Sequence, residues 1–180
     1  MLAIVDLIMY MGEQYPCLPI ELERNTSAVY KSMRESQMLK RTLQQRTQLQ
    51  EAIRSIQSTD VPVTQFVVEI GGSLLSIDIC ANLCFSGEGC EGSEPSAISS
   101  IKRILTTSPM FSRKYHTSRK KTWIYLKTKS AISSPAWIRD HKFQLPTAIP
   151  VYSFVIGKQD NDDGFWYRWR ENLDGCPLMR

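Results

Sequence analysis

Between Ser55 and Ile101 the sequence has no lysine or arginine, while six acids (Asp60, Glu69, Asp78, Glu88, Glu91 and Glu94) fall in that stretch. Long apolar runs are missing too: none reaches the roughly 18 residues that a membrane-spanning helix requires. Histidine occurs only twice, as His116 and His141. Neither lies near a nucleophile signature such as GxSxG, and the glycine-rich stretch SGEGCEGSEP (86–95) is acidic and lacks the GxxxxGK[ST] pattern of a phosphate loop. No catalytic set emerges, so the chain is read as a non-enzyme with no catalytic residue and no cofactor. The opening MLAIVDLIMYMG is interrupted by Asp6 and lacks the basic start and small-residue cleavage site of a signal peptide. It is expected to form a short helix docked on the core or on a partner, with a membrane-touching segment as the rival reading. Cysteine is odd in number at five, without secretory signal, which favours reduced thiols. The spacing Cys80-x3-Cys84-x5-Cys90 is not a usual zinc spacing, and DNDDG (160–164) suits a solvated turn as well as a cation, so no metal is expected.

Charge is sorted along the chain. The net charge of +4 divides into −3 over residues 1–24, +4 over 25–54, −6 over 55–101, +10 over 102–142 and −1 from Phe143 onward. Two basic blocks thus flank an acidic one. Segregated charge sets up local potentials that attract polyanions. It arises equally when acidic and basic elements of one fold lie side by side.

At 180 residues and 42% hydrophobic, the chain suits one globular unit with an appendage. The expected division is a docking segment at 1–24, a basic amphipathic helix at 25–58, an α+β core at 59–175 and a tail at 176–180. Asn25 or Thr26 caps a helix running to about Gln57, free of glycine and proline and rich in good helix formers. Its apolar stripe drifts because Arg46 and Gln50 stand where a heptad through Leu39 and Leu43 wants apolar groups. TQFVVEI-GG-SLLSIDIC reads as a hairpin, with Gly71-Gly72 as its turn. A helix begins at Pro95 and carries Ile98, Ile101, Ile104 and Leu105 on one side. KTWIYLKTK alternates Trp123 and Tyr125 against Ile124 and Leu126, which predicts a strand at about 121–128. A proline-bearing connection follows, then IPVYSFVIG and GFWYRWRE as a second strand pair joined by the acidic turn 158–164. The fold class is therefore α+β: a long amphipathic helix, then a mainly antiparallel sheet with one packed helix.

SRKYHTSRKKTWIYLKTKS (112–130) holds seven lysines or arginines and no acid. Its bases Arg113, Lys114, Arg119, Lys120, Lys121, Lys127 and Lys129, helped by Lys40 and Arg41 of the basic helix, are the candidate binding residues. Cationic side chains neutralise phosphates and release counterions, giving affinity without sequence preference. The interleaved Tyr115, Trp123, Trp166 and Trp169 offer stacking surfaces for unpaired bases. The same bases hold a surface to anionic lipid, so charge alone leaves RNA and membrane both open. Arg119-Lys120-Lys121 also makes a short nuclear-import-like run.

From Val63 onward the order is a strand pair, the helix SAISSIKRILTT, the basic strand KTWIYLKTKSAISSP, a proline-bearing connection, and strands at IPVYSFVIG and GFWYRWRE. That order, size and charge resemble the matrix proteins of rhabdoviruses, above all the short basic ones of plant-infecting members. The resemblance spans roughly residues 63–170. EQYPCLPIELE carries neither of the late-budding motifs PPxY and PSAP found in animal-virus members, and the basic helix stands where a disordered lysine-rich arm is usual. The resemblance implies a structural protein of the virion and host cytoplasm that condenses ribonucleoprotein, self-associates and bridges to membrane. The rival expectation is a protein–protein adaptor with a helical dimerisation arm and a sheet docking head.

Overall fold

The computed structural model describes residues 1–17, 21, 33–59, 61–73, 76–85, 103, 107, 119–147, 149, 151–156 and 164–176. Among them are helices α1 (Leu2–Met11) and α2 (Met33–Gln57). The strands are β1 (Val63–Ser73), β2 (Ser76–Phe85), β3 (Lys121–Thr128), β4 (Trp137–Arg139), β5 (Val151–Ile156), β6 (Phe165–Trp169) and β7 (Leu173–Asp174). All seven strands join one sheet in the order β4-β6-β3-β1-β2-β5, with β7 paired to β3 beyond the end of β6. Every pairing is antiparallel except that of β2 with β5. The fold is α+β. The expected packed helix after Pro95 falls outside the described residues except for Arg103 and Thr107, both helical, and the loop at 86–95, most of the acidic turn and the start of the long helix fall outside them.

Alternation along β1 and β3 sends side chains to two covered faces. On one face Phe66 lies opposite Leu126 and Val68 opposite Ile124, and all four are buried. They share a core with Ile4, Val5, Ile8 and Met9 of α1 and Leu39, Leu49, Ile53 and Ile56 of α2. The buried positions of α2 recur at helical spacing, so one stripe of the helix faces the sheet. The opening apolar segment is therefore a core element. On the opposite face a smaller cluster of Val67, Trp123 and Tyr125 is covered by Phe143, Leu145, Ile149, Val151 and Trp166.

Three expectations change. Gly71-Gly72 is not the hairpin turn: β1 runs through both glycines, and the hairpin closes where Ser73 pairs with Ser76. The register shifts on both sides of Gly71, so the glycines mark an irregularity inside the strand, the other role that glycine takes in sheets. The two late strands do not pair with each other. β5 joins β2 at one edge, while β6 lies between β3 and β4 toward the other. Finally, the proline-bearing connection contains β4, where Trp137 pairs with Trp169 and its Nε1 donates to the Ala52 carbonyl of α2 at 3.0 Å. That bond satisfies the indole N–H of a residue only 4% exposed.

Candidate polyanion-binding surface

The short strand β7 brings Asp174 into the corner between α2 and the start of β3. Its backbone pairs with Lys121. The Gln45 side chain reads it twice: Oε1 accepts from the Asp174 amide at 3.0 Å, and Nε2 donates to Oδ2 at 3.3 Å. The Thr42 hydroxyl reaches the Asp174 carbonyl at 2.9 Å. Threonine and glutamine therefore occupy two buried positions of α2 that hydrophobic patterning would assign to the core, because the aspartate they meet is itself 4% exposed and needs partners there.

Onto the same Oδ2 come Arg41 Nε at 3.2 Å and Arg119 Nη2 at 2.8 Å. Arg41 belongs to the first basic block of the sequence and Arg119 to the second. The fold thus joins in space what an anionic stretch separates in the chain, and the acid that bridges them comes from β7. Lys40 and Lys121 flank the pair in sequence and are exposed, and Lys120 is half-buried. Asp174 thus faces two guanidinium groups, with Lys40 and Lys121 exposed nearby in sequence, so among the described residues the corner keeps a positive surplus.

The remaining candidates lie elsewhere. Lys127 and Lys129 sit at or just past the far end of β3, roughly 20 Å along the strand from Lys121. Lys127 is half-buried with its Nζ 5.9 Å from the Trp166 ring centroid, while Lys129 is exposed. Arg113 and Lys114 fall outside the described residues, as does Tyr115. The stacking aromatics do not survive: Trp123 and Trp169 are 6% and 2% exposed. Trp166 is turned toward Phe143, at 4.6 Å between ring centroids, and Phe143 stacks on Tyr125 at 4.1 Å. Strand alternation put these rings into two covered faces, where a wet stacking platform was expected.

Beneath that second cluster, Glu69 is buried and lies opposite Trp123. Burial, and then the Glu69 carboxylate, push the Tyr125 phenol above its ordinary value, with Arg168 opposing. A groove of about 330 Å³ opens between α2, the segment just before β4 and the end of β6, lined among others by Glu51, Ser55, Pro135, Trp169, Arg170 and Glu171. Its two carboxylates against the one guanidinium of Arg170 make it a poor place for an anion. Among the described residues no cluster of His, Cys, Asp and Glu is arranged to hold a metal ion, and no helix is long and apolar enough to cross a membrane.

Asp174 is the residue that sequence reasoning missed. It sits in NLDGCP, a segment with no motif, and a single acid at the end of the expected core carries no signal of the partners it will find. A scan against protein-family models finds no match to this chain, and a search of curated proteins finds none of significant similarity.

Proposed function

We propose that this chain is a non-enzymatic structural protein that binds the phosphate backbone of RNA, as part of a ribonucleoprotein, through the corner formed by Lys40, Arg41, Arg119, Lys120 and Lys121. The observation that carries the reading is the meeting of both basic blocks at one exposed corner around Asp174. Burial of Trp123 and Trp169 leaves the described part of the patch without its stacking surfaces, so recognition rests on phosphate charge and is indifferent to base sequence.

RNA is preferred over lipid because Ile4, Val5, Ile8 and Met9 of α1 are buried in the core, which leaves that helix only the part-exposed Leu2, Leu7, Tyr10 and Met11, a narrower apolar surface than a membrane-lying helix presents. The same reasoning bears on the adaptor alternative: Leu39, Leu49, Ile53 and Ile56 of α2 lie in the chain's own core. A dimerisation arm would need those positions free. A matrix-like assembly role, with self-association in a virion and residence in host cytoplasm, fits a sequence-blind RNA-condensing surface and is part of the proposal.

The test is an electrophoretic shift with single-stranded RNA, run beside flotation with anionic vesicles, on the wild type and a variant with Arg119, Lys120 and Lys121 changed to glutamate. RNA retardation by the wild type and its loss in the variant are expected. Equal retardation by both proteins removes the patch from the reading, and vesicle binding without RNA binding replaces RNA with membrane.

A further inference from the structure

Arg41 and Arg119 are arranged more specifically than a patch requires. Because both sit on one oxygen, their two bonded nitrogens lie within about 6 Å of each other. The carboxylate is deep, with its side chain 6% exposed, whereas those of Arg119 and Arg41 are 39% and 66% exposed. Asp174 cannot follow the arginines outward: β7 is paired to β3, and Gln45 holds both its amide and its Oδ2. The Asp174 contact is 3.2 Å from Arg41 Nε and 2.8 Å from Arg119 Nη2. Each guanidinium carries five N–H donors in a rigid plane, so each retains donors for a second acceptor. Two guanidinium groups on one carboxylate also leave a positive charge uncompensated among the described residues.

We infer that Arg41 and Arg119 form a two-arginine clamp for a single phosphate group, with Asp174 as a positioning residue beneath it. The inference rests on the polyanion-binding reading and deepens it, by naming the chemical group that the corner grips. A phosphate presents non-bridging oxygens that accept in parallel from planar donors, and guanidinium matches that geometry where ammonium does not. Asp174 holds the two like charges together before a ligand arrives, which lowers the ordering cost of binding.

The clamp and a diffuse patch predict opposite outcomes for two substitutions. Binding of a fluorescent oligouridylate is followed by anisotropy at fixed ionic strength, with anionic vesicles as a parallel arm to separate nucleotide phosphate from a lipid headgroup. The double variant Arg41→Lys, Arg119→Lys keeps the charge and loses the planar donors. The clamp requires its affinity to fall by about tenfold, while a diffuse patch requires no change. Asp174→Asn removes a negative charge beside the ligand, so a patch predicts tighter binding and the clamp predicts weaker binding. Circular dichroism checks folding, and because both arginines are solvent-accessible the lysine variant decides the matter even if Asp174→Asn fails to fold. Wild-type affinity in the lysine variant, or tighter binding by folded Asp174→Asn, overturns the clamp and leaves the polyanion reading standing. Failure of the wild type to bind either probe removes both. Loss confined to the vesicle arm supports the clamp with a headgroup as its phosphate.

Discussion

Glu13 stands where the end of α1 favours glycine. The amide of Gln14 donates to Met9 and that of Glu13 to Tyr10, the bond pattern of a Schellman cap. Glu13 takes the left-handed conformation at φ 57°, while the glycine stands one place earlier, at Gly12 with φ −78°. A Cβ in the left-handed region costs roughly 1–2 kcal/mol, so Glu13→Gly is expected to stabilise the fold by about 1 kcal/mol in urea denaturation. Sequence could place a helix end near Gly12, but not the residue that would take the positive φ. Two residues on, the Tyr15 hydroxyl is buried without a hydrogen-bond partner among the described residues. Burial, then the nearby Asp6 carboxylate, push its phenol far above the ordinary tyrosine range. Tyr15→Phe removes an unsatisfied group and is expected to be neutral or to stabilise by up to about 1 kcal/mol. The pH dependence has a definite sign. Above roughly pH 10 an unfolded tyrosine ionises while Tyr15 and Tyr125 stay protonated in the folded chain, so the native state holds more protons and stability falls as pH rises. Titration of the unfolding midpoint from neutral into alkaline pH should show that fall, and Tyr15→Phe should make it shallower.

At the scale of elements, two irregularities in the sequence explain each other. Asp6 breaks the apolar run of α1 and Arg46 breaks the stripe of α2. In the fold Arg46 donates to both oxygens of Asp6, Nε at 3.0 Å and Nη2 at 2.9 Å, and the Arg46 and Asp6 side chains are 18% and 10% exposed. Each interruption was legible alone, but their pairing was not, because nothing local links positions 40 residues apart. Removing one partner strands a charge between the helices, so Arg46→Ala is expected to destabilise by about 3 kcal/mol or more. The double change Asp6→Leu, Arg46→Leu should cost clearly less, as measured by a denaturation cycle. The strands divide in the same way. Local alternation located β3 and β6, since period-two patterning is written in adjacent residues, but it did not show that both of their faces are covered. Partner choice was not legible: β5 looked like the mate of β6 because only a short acidic segment separates them, yet it pairs with β2 in parallel. Gly71-Gly72 misled for a related reason, since glycine serves turns and strand irregularities alike.

Over the whole molecule, the charge map was readable as a list of blocks, but the corner they build required a bridging acid at the other end of the chain. The fold class needed only helix and strand periods and was readable; the site needed three distant segments to meet. If the corner works by phosphate neutralisation, affinity for oligouridylate must fall log-linearly with salt. Lys40→Ala with Lys121→Ala should then weaken binding for all base sequences alike and shallow the salt slope by about 0.7 for each phosphate no longer neutralised. Unchanged slopes would remove these lysines from the interface. One further consequence lies in how the corner is sealed. The Cys176 amide donates to the Gln14 carbonyl and the Gly175 amide to that of Lys120, each at 2.8 Å, while the Gln14 Oε1 accepts from the Lys120 amide at 2.7 Å. A side chain on Gly175 would run into that Gln14 oxygen. During synthesis the head of the polypeptide must therefore wait for residues 173–176 to leave the ribosome before this junction can close. A nascent chain halted before Leu173 has Arg41 and Arg119 without Asp174 between them, and should remain open to proteases until β7 arrives.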